Sequence, residues 1–124
     1  MSQHIRDNFK RLLAPRHVAF IGGRSMARAL KRCAEGGYQG QMWLVNPQHD
    51  SLEGVPCVRS VAELPCGPDA VFIATNRDLT LICVAELAAK GAGGAICYAS
   101  GFAEIGPQGQ ALQDRLLQAA GDMA

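Results

Sequence analysis

Short apolar runs alternate with longer amphipathic segments along the chain. The apolar runs predict strands over 17–21, 42–45, 70–75 and 95–98. Apolar residues at three- and four-residue spacing, with Gly or Pro near the ends, predict helices over 4–13, 25–35, 77–90 and 108–120. Between the second and third strands we expect a loop with one short ordered stretch around 61–64.

The first, third and fourth predicted strands are almost continuously apolar. Strands that are buried on both faces have this composition, and they belong to parallel sheets covered by crossover helices. We therefore expect a single α/β domain with a doubly wound, mainly parallel sheet, for which 124 residues are sufficient. Its core is expected to include Val18, Phe20, Leu44, Val71, Ile73 and Ile96.

The first predicted strand ends in a pair of glycines. Gly22 and Gly23 follow the apolar run, and Ser25 opens the next predicted helix. Such a turn lets main-chain N–H groups and a helix N-terminus face an anion, so it predicts a site for a phosphorylated cofactor. The full G-x-G-x-x-G fingerprint is absent, and glycines needed only for packing would give the same pattern.

Small or polar residues follow all four predicted strands. Ligands of doubly wound domains bind beyond the carboxyl ends of the strands, so these residues predict one rim for a long ligand. The rim consists of Gly22, Gly23, Val45, Asn46, Pro47, Ala74, Thr75, Asn76, Ser100, Gly101 and Phe102. Turn geometry alone also collects such residues at strand ends.

Charge is distributed unevenly along the chain. Residues 1–32 hold eight basic groups and one acidic group, whereas the remainder holds four basic and ten acidic groups. The net charge of +1 argues against nucleic-acid binding, but positive charge beside a glycine turn suits a compact polyanion. Arg24, Arg28 and Arg32 lie four residues apart and share one helix face, which is also the pattern of a solvated surface.

The end of the second strand bears on which phosphorylated cofactor binds. Domains that bind NAD normally carry Asp or Glu there to accept the ribose hydroxyls. Here Val45 is followed by Asn46, Pro47 and Gln48, and Asn46 replaces a carboxylate only in part. This argues against NAD, although Asp50 is a distant substitute and leaves the question open.

Other classes of site and location are disfavoured. The five cysteines are an odd number without a C-x-x-C pair, so we expect reduced thiols and no metal site. His4, His17 and His49 lie in no catalytic context, and we expect no catalytic residue. The polar start and the lack of a membrane-length apolar run predict a cytoplasmic protein.

Six blocks of sequence, taken together and in order, resemble the N-terminal CoA-binding domain of NDP-forming acyl-CoA synthetases. The blocks are LLAPRHVAFIG (12–22), EGGYQG (35–40), VNP (45–47), GVPC (54–57), SVAELP (60–65) and SGFAE (100–104). The resemblance covers residues 12 to about 120 and extends to the succinyl-CoA synthetase alpha subunit, whose Rossmann-like first domain binds CoA. It implies coenzyme A or acyl-CoA as the ligand.

The resemblance also implies a role for each part of the rim. Gly22, Gly23 and Ser25 match the loop at the CoA phosphates, and residues 45–47 match the strand end beside the nucleotide. Residues 74–76 match the third strand end, and residues 100–102 match the loop along the pantetheine path. This chain departs from the pattern by a shorter glycine loop and by Gln48 in place of a common Lys. Either Arg24 and Arg28 compensate, with the CoA 3′-phosphate as one target for Arg24, or binding is weakened.

Three hypotheses follow for the function. The first is a non-catalytic CoA-binding module over 1–124, with a helical arm over 1–15, working with downstream ligase and ATP-grasp domains of an acid–thiol ligase or related acyltransferase. The second is a NAD(P)-binding redox or sensor domain. The third is a degenerate domain used for protein interaction. The acyl substrate, the purine nucleotide and the oligomeric state, including self-association, stay open.

Overall fold

A computed structural model describes residues 3–98, 107–121 and 123. The helices are α1 (Gln3–Leu13), α2 (Arg24–Glu35), α3 (Arg77–Lys90) and α4 (Pro107–Ala120), with a short 3₁₀ helix at Val61–Glu63. The strands are β1 (His17–Gly22), β2 (Gln41–Val45), β3 (Ser51–Leu52), β4 (Val55–Val58), β5 (Ala70–Ala74) and β6 (Gly94–Cys97). None of the described helices is long and apolar enough to cross a membrane.

One sheet contains these strands in the order β3-β4-β2-β1-β5-β6. β1 pairs parallel with both β2 and β5, and β4 and β6 continue the sheet in parallel on either side. The chain leaves β1 toward β2 and β4, then crosses to β5 on the other side of β1. The prediction of a doubly wound, mainly parallel α/β domain is confirmed, and β1 lies at the point where the strand order reverses.

Alternate residues of β1 pack on opposite faces of the sheet. Val18 and Phe20 contact the cluster that α2 covers, and the Phe20 ring stacks on Phe72 with centroids 5.4 Å apart. Ala19 and Ile21 belong to the other cluster, to which α3 and α4 contribute. Helices on both faces explain why β1 is apolar without alternation.

The hairpin formed by β3 and β4 was not predicted, because this stretch was expected to be a loop. Ser51 pairs antiparallel with Pro56, and Glu53 and Gly54 form the turn with φ values of 51° and 79°. Both strands are short and Pro56 cannot donate to a ladder, so the local sequence carries a weak strand signal. The hairpin extends the sheet because β4 pairs with β2.

The prediction that Ile96 is a core residue is wrong. Ile96 is 41% exposed, whereas the other five predicted core residues are buried. β6 pairs with β5 at one end of the sheet order, so it is covered less than the central strands. An apolar run predicts a strand here but does not reveal that the strand lies at an edge.

Asp69 anchors the amino edge of the sheet. Its side chain is 1% exposed; Oδ1 accepts a 2.6 Å hydrogen bond from Arg11 Nε, and Oδ2 accepts one of 2.9 Å from Arg16 N. Asp69 N donates to His17 Nδ1 at 2.9 Å, which requires that ring nitrogen to be unprotonated. Arg11 also donates to Gly91 O and Gly67 O, so this one side chain ties α1 to the loops that precede β5 and β6.

Substitution of Asp69 tests this anchor. Burial raises the pKa of Asp69, but the Arg11 and Arg16 hydrogen bonds and the neighbouring His17 lower it further, and the net pKa lies below its ordinary value. The carboxylate therefore stabilises the fold above the unfolded-state pKa of about 4, and this contribution is lost as pH falls. We expect Asp69→Asn to lower the free energy of unfolding by about 3 kcal/mol at pH 7.

Urea denaturation at pH 7 and at acidic pH measures this effect. The difference between wild type and Asp69→Asn should shrink as pH falls through the range in which Asp69 becomes protonated. Asp7→Asn is the matched control, because Asp7 is exposed on α1. A difference that is independent of pH, or equal losses in the two variants, would contradict the role given to Asp69.

Candidate functional site

A cavity of about 260 Å³ lies at the carboxyl ends of β1, β2 and β5. It is lined by eight predicted site residues, Gly22, Gly23, Val45, Asn46, Pro47, Ala74, Thr75 and Asn76, and additionally by Ile21, Gln48 and Leu79. The structure therefore brings together three of the four predicted strand ends. The fourth, Ser100, Gly101 and Phe102, lies outside the described residues.

The two glycines of the turn serve different purposes. Gly22 has φ +152°, and a Cβ there would lie 2.6 Å from Ala74 O and 2.8 Å from Met26 Cγ. Only glycine fits at that position, because backbone and side-chain atoms occupy the space. A Cβ at Gly23 would have no neighbour within 4 Å. Gly22 is thus needed by the fold, while Gly23 leaves open space at the cavity.

The N-terminus of α2 is open at this turn. Gly23 O accepts from both Met26 N and Ala27 N at 3.1 Å, and no side chain caps the helix. The N–H groups of Arg24 and Ser25 precede these first helical bonds, where the helix dipole favours an anion. At the same edge, the Asn76 side chain caps α3 by accepting from Leu79 N at 2.8 Å. Of these two helix starts, α2 is the one suited to a phosphate.

Asn46 locks the turn to the end of β2. Its Nδ2 donates to Gly22 O at 2.9 Å, and its Oδ1 accepts from Gln48 N at 2.8 Å and His49 N at 3.0 Å. The residue is only 8% exposed. These bonds commit the amide to shaping the cavity, so it is poorly placed to replace the carboxylate that holds the ribose in NAD-binding domains.

The basic face of α2 turns partly away from the cavity. Arg28 forms an ion pair with Glu53 at 3.2 Å, and Lys31 Nζ donates to Glu53 O at 3.1 Å. Neither Arg24, Ser25 nor Arg28 is among the cavity-lining residues. Arg24 is exposed and is the first residue of α2, next to Gly23. Direct binding by Arg24, Ser25 and Arg28 stays a prediction, and Arg28 has a competing partner.

Sequence reasoning missed Arg59, which follows β4. Its Nη1 donates to the carbonyl oxygen of Pro47 at 2.9 Å, so its guanidinium lies beside the cavity. Recognition of the short strand before it would have placed Arg59 at the carboxyl edge. The unpredicted hairpin therefore concealed a cation near the site.

The described thiols offer no activated nucleophile near neutral pH. Burial, with smaller contributions from Glu86 and Cys97, raises the pKa of Cys83 to about 11. Burial also raises the pKa of Cys57 and of Cys97. These three thiols stay protonated, which is the unreactive form.

A second cavity, of about 430 Å³, lies at the opposite edge of the sheet. Residues of α1, including His4 and Arg11, line it together with the ends of α3 and α4. Although it is larger, it has no glycine turn, and Arg11 is committed to Asp69. The carboxyl-edge cavity, which combines the strand ends with an open helix N-terminus, has the features of a cofactor site.

The fold and the site define a doubly wound α/β domain of the dinucleotide-binding type. Within this class, residues 16–122 match the family model described as "CoA binding domain". The chain belongs to this family of CoA-binding domains, and coenzyme A is its cofactor. The resemblance noted in the sequence is confirmed.

Known relatives are much longer than this chain. It is 36% identical over 115 residues to trans-feruloyl-CoA synthase FCS1 of an unknown prokaryotic organism, covering 89% of the chain and 16% of that protein. It is 31% identical over 114 residues to the ADP-forming acetate–CoA ligase II of Archaeoglobus fulgidus, covering 88% of the chain and 17% of that protein. The chain thus spans about a sixth of the length of these relatives.

Solved structures agree with the fold. The apo dinucleotide-forming acetyl-coenzyme A synthetase 1 of Ca. Korarchaeum cryptofilum matches with a TM-score of 0.81 at 25% identity, covering 93% of this chain and 26% of that one. A hypothetical protein from Pyrococcus horikoshii OT3 matches with a TM-score of 0.62 at 23% identity, covering 87% of this chain and 79% of that one. The fold therefore occurs both within long chains and in chains of similar size.

Alanine substitutions at the two glycines separate their roles. We expect Gly22→Ala to destabilise the fold by about 2 kcal/mol or more, because Cβ meets Ala74 O at 2.6 Å and the backbone has positive φ. Gly23→Ala should change stability by less than about 1 kcal/mol, because its Cβ meets open space. Chemical denaturation of both variants measures the difference, and equal losses would show that Gly23 is also required by packing.

Proposed function

We propose that this chain is the CoA- or acyl-CoA-binding module of an NDP-forming acyl-CoA synthetase or a related acyltransferase, and that it is not catalytic on its own. One observation carries the assignment of the site within this CoA-binding family. The uncapped N-terminus of α2 opens at Gly23 onto a cavity formed by the ends of three strands. A diphosphate has the charge and size that this arrangement favours.

CoA extends beyond the cavity in this proposal. The volume of about 260 Å³ is smaller than the roughly 300–1,000 Å³ of typical ligand sites, so the cavity receives only the diphosphate region. The nucleotide lies on the β2 side, beside Asn46 and Pro47, and the pantetheine arm runs past Thr75 and Asn76. This direction agrees with the usual position of the nucleotide ribose near the second strand of doubly wound domains.

Catalysis requires partners in this proposal. The described thiols are protonated near neutral pH, and the chain spans only about a sixth of its synthetase relatives. Ligase-type and ATP-grasp domains, in the same protein or in a partner subunit, supply the acid–thiol ligase chemistry. The module contributes by holding CoA and directing its thiol away from the anchored diphosphate.

Ligand choice provides the first test. We expect CoA to bind more tightly than NAD or NADP, because Asn46 is committed internally and no carboxylate accepts ribose hydroxyls at the end of β2. Isothermal titration calorimetry with each ligand measures this order. Gly23→Ala should weaken CoA binding while the folded state persists. Tighter binding of NAD or NADP would favour a redox or sensor domain, and no binding would favour a degenerate one.

Arg24 provides the second test. If its side chain supports the bound diphosphate, Arg24→Ala should weaken CoA by about 1.5 to 3 kcal/mol, the range for a charge-assisted hydrogen bond. Arg115→Ala is the matched control, because Arg115 is exposed on α4, away from the turn. If neither variant changes CoA affinity, the basic residues of α2 form only a solvated surface.

A further inference from the structure

Arg59 lies at the same sheet edge as the cofactor cavity. β4 pairs parallel with β2, with Val58 opposite Val45, and Asn46 N donates to Val58 O at 2.9 Å. Parallel strands end at the same edge, so the residue that follows β4 lies beside the residues that follow β2. The Arg59 side chain is thereby placed at the β2 end of the cavity.

Three hydrogen bonds orient the Arg59 guanidinium. Nη1 donates to Pro47 O at 2.9 Å, while Nε and Nη2 donate to the same oxygen of Asp50, Oδ1, at 3.1 and 2.6 Å. A guanidinium has five N–H donors, so donors remain for another acceptor. The Arg59 side chain is 46% exposed, which leaves it accessible to a ligand.

Asp50 is a weak partner for this cation. Its side chain is 91% exposed, and both bonds from Arg59 reach a single oxygen, in contrast to the two parallel bonds of a bidentate pair. Exposed ion pairs contribute little free energy. A phosphomonoester carries up to two negative charges and three terminal oxygens, so it binds a guanidinium more strongly than this carboxylate does.

Arg59 differs from the other cations described near this edge. Arg28 and Lys31 contact Glu53 of the hairpin turn. Arg24 begins α2 at the glycine turn, where the diphosphate is proposed to bind. Arg59 instead lies beside Pro47, at the strand end where doubly wound domains hold the ribose of a nucleotide. Its position therefore matches a phosphate on the ribose.

We propose that Arg59 binds the ribose 3′-phosphate of CoA and that Asp50 is its partner only while the site is empty. This inference rests on the proposed function. On binding, the phosphate replaces Asp50 at Nε and Nη2, while Nη1 keeps its bond to Pro47 O. Arg59 then distinguishes CoA from dephospho-CoA, whereas Arg24 and the α2 N-terminus bind both equally.

Calorimetry with CoA and dephospho-CoA on the full chain tests the assignment. Wild type should prefer CoA by about tenfold or more, the effect of one charge-assisted contact. Arg59→Gln should reduce this preference to within about twofold while leaving dephospho-CoA affinity unchanged. Arg32→Gln is the matched control, because it removes the same charge from an exposed position in the last turn of α2.

Asp50→Asn provides a test in the opposite direction. Removal of the competing carboxylate should raise CoA affinity by about two- to fivefold and leave dephospho-CoA unchanged. This variant keeps Arg59 and its bond to Pro47, so it distinguishes lost recognition from a disturbed loop if Arg59→Gln is unstable.

The outcomes separate this inference from the proposed function. If wild type binds CoA but its preference over dephospho-CoA survives in Arg59→Gln, or is unaffected in Asp50→Asn, the assignment of Arg59 is overturned and CoA binding stands. If wild type binds neither CoA nor dephospho-CoA, the proposed function fails as well. If Arg59→Gln weakens NADP relative to NAD without affecting CoA, Arg59 recognises a ribose phosphate of a different cofactor, which also overturns the assignment.

Discussion

The carboxyl edge of this domain depends on the close approach of the β1 turn to β5. The missing side chain of Gly22 allows Ala74 O and Met26 Cγ to occupy the space where a Cβ would lie. Asn46 fixes the same turn from the other side by donating to Gly22 O at 2.9 Å. These contacts hold three strand ends together and aim the N-terminus of α2 at the cavity. Every proposed contact with CoA follows from that position.

Buried polar side chains support both edges of the sheet. Among the described residues, Asn46, Asp69 and Thr80 are the buried polar or charged ones. Asn46 holds the β1 turn, and Thr80 Oγ1 donates to Asn76 O at 2.8 Å at the start of α3. Asp69 joins α1 and β1 at the amino edge through Arg11 and Arg16. Each satisfies its hydrogen bonds within the protein, which leaves the α2 N-terminus as the exposed polar feature at the glycine turn.

Local sequence signals predict much of this structure. Apolar runs identify β1, β2, β5 and β6, and the glycine pair marks the turn at the cavity. Properties that depend on distant partners escape such reasoning. Arg28 is diverted by Glu53, and Asp69 acquires its partners from positions more than fifty residues away in sequence. Ile96 is exposed because its strand lies at a sheet edge, which periodicity does not reveal.

The same limit explains why part of the candidate site was missed. The strand ends of β1, β2 and β5 are predictable because parallel strands place their carboxyl ends together. Arg59 was not predicted because the strand before it is short and contains Pro56, so its direction was unknown. Asn46 was identified, but its role in holding Gly22 depends on the distance between the ends of two strands.

Nuclear magnetic resonance mapping of the backbone amides during titration with CoA tests the central claim most directly. The account predicts that the largest shift changes occur at Gly22, Gly23, Arg24 and Ser25, with further changes at the ends of β2 and β5. Residues of the opposite cavity, such as Asn8 and Gly121, should not change. Shift changes concentrated at that amino-edge cavity, with the glycine turn unaffected, would contradict the account.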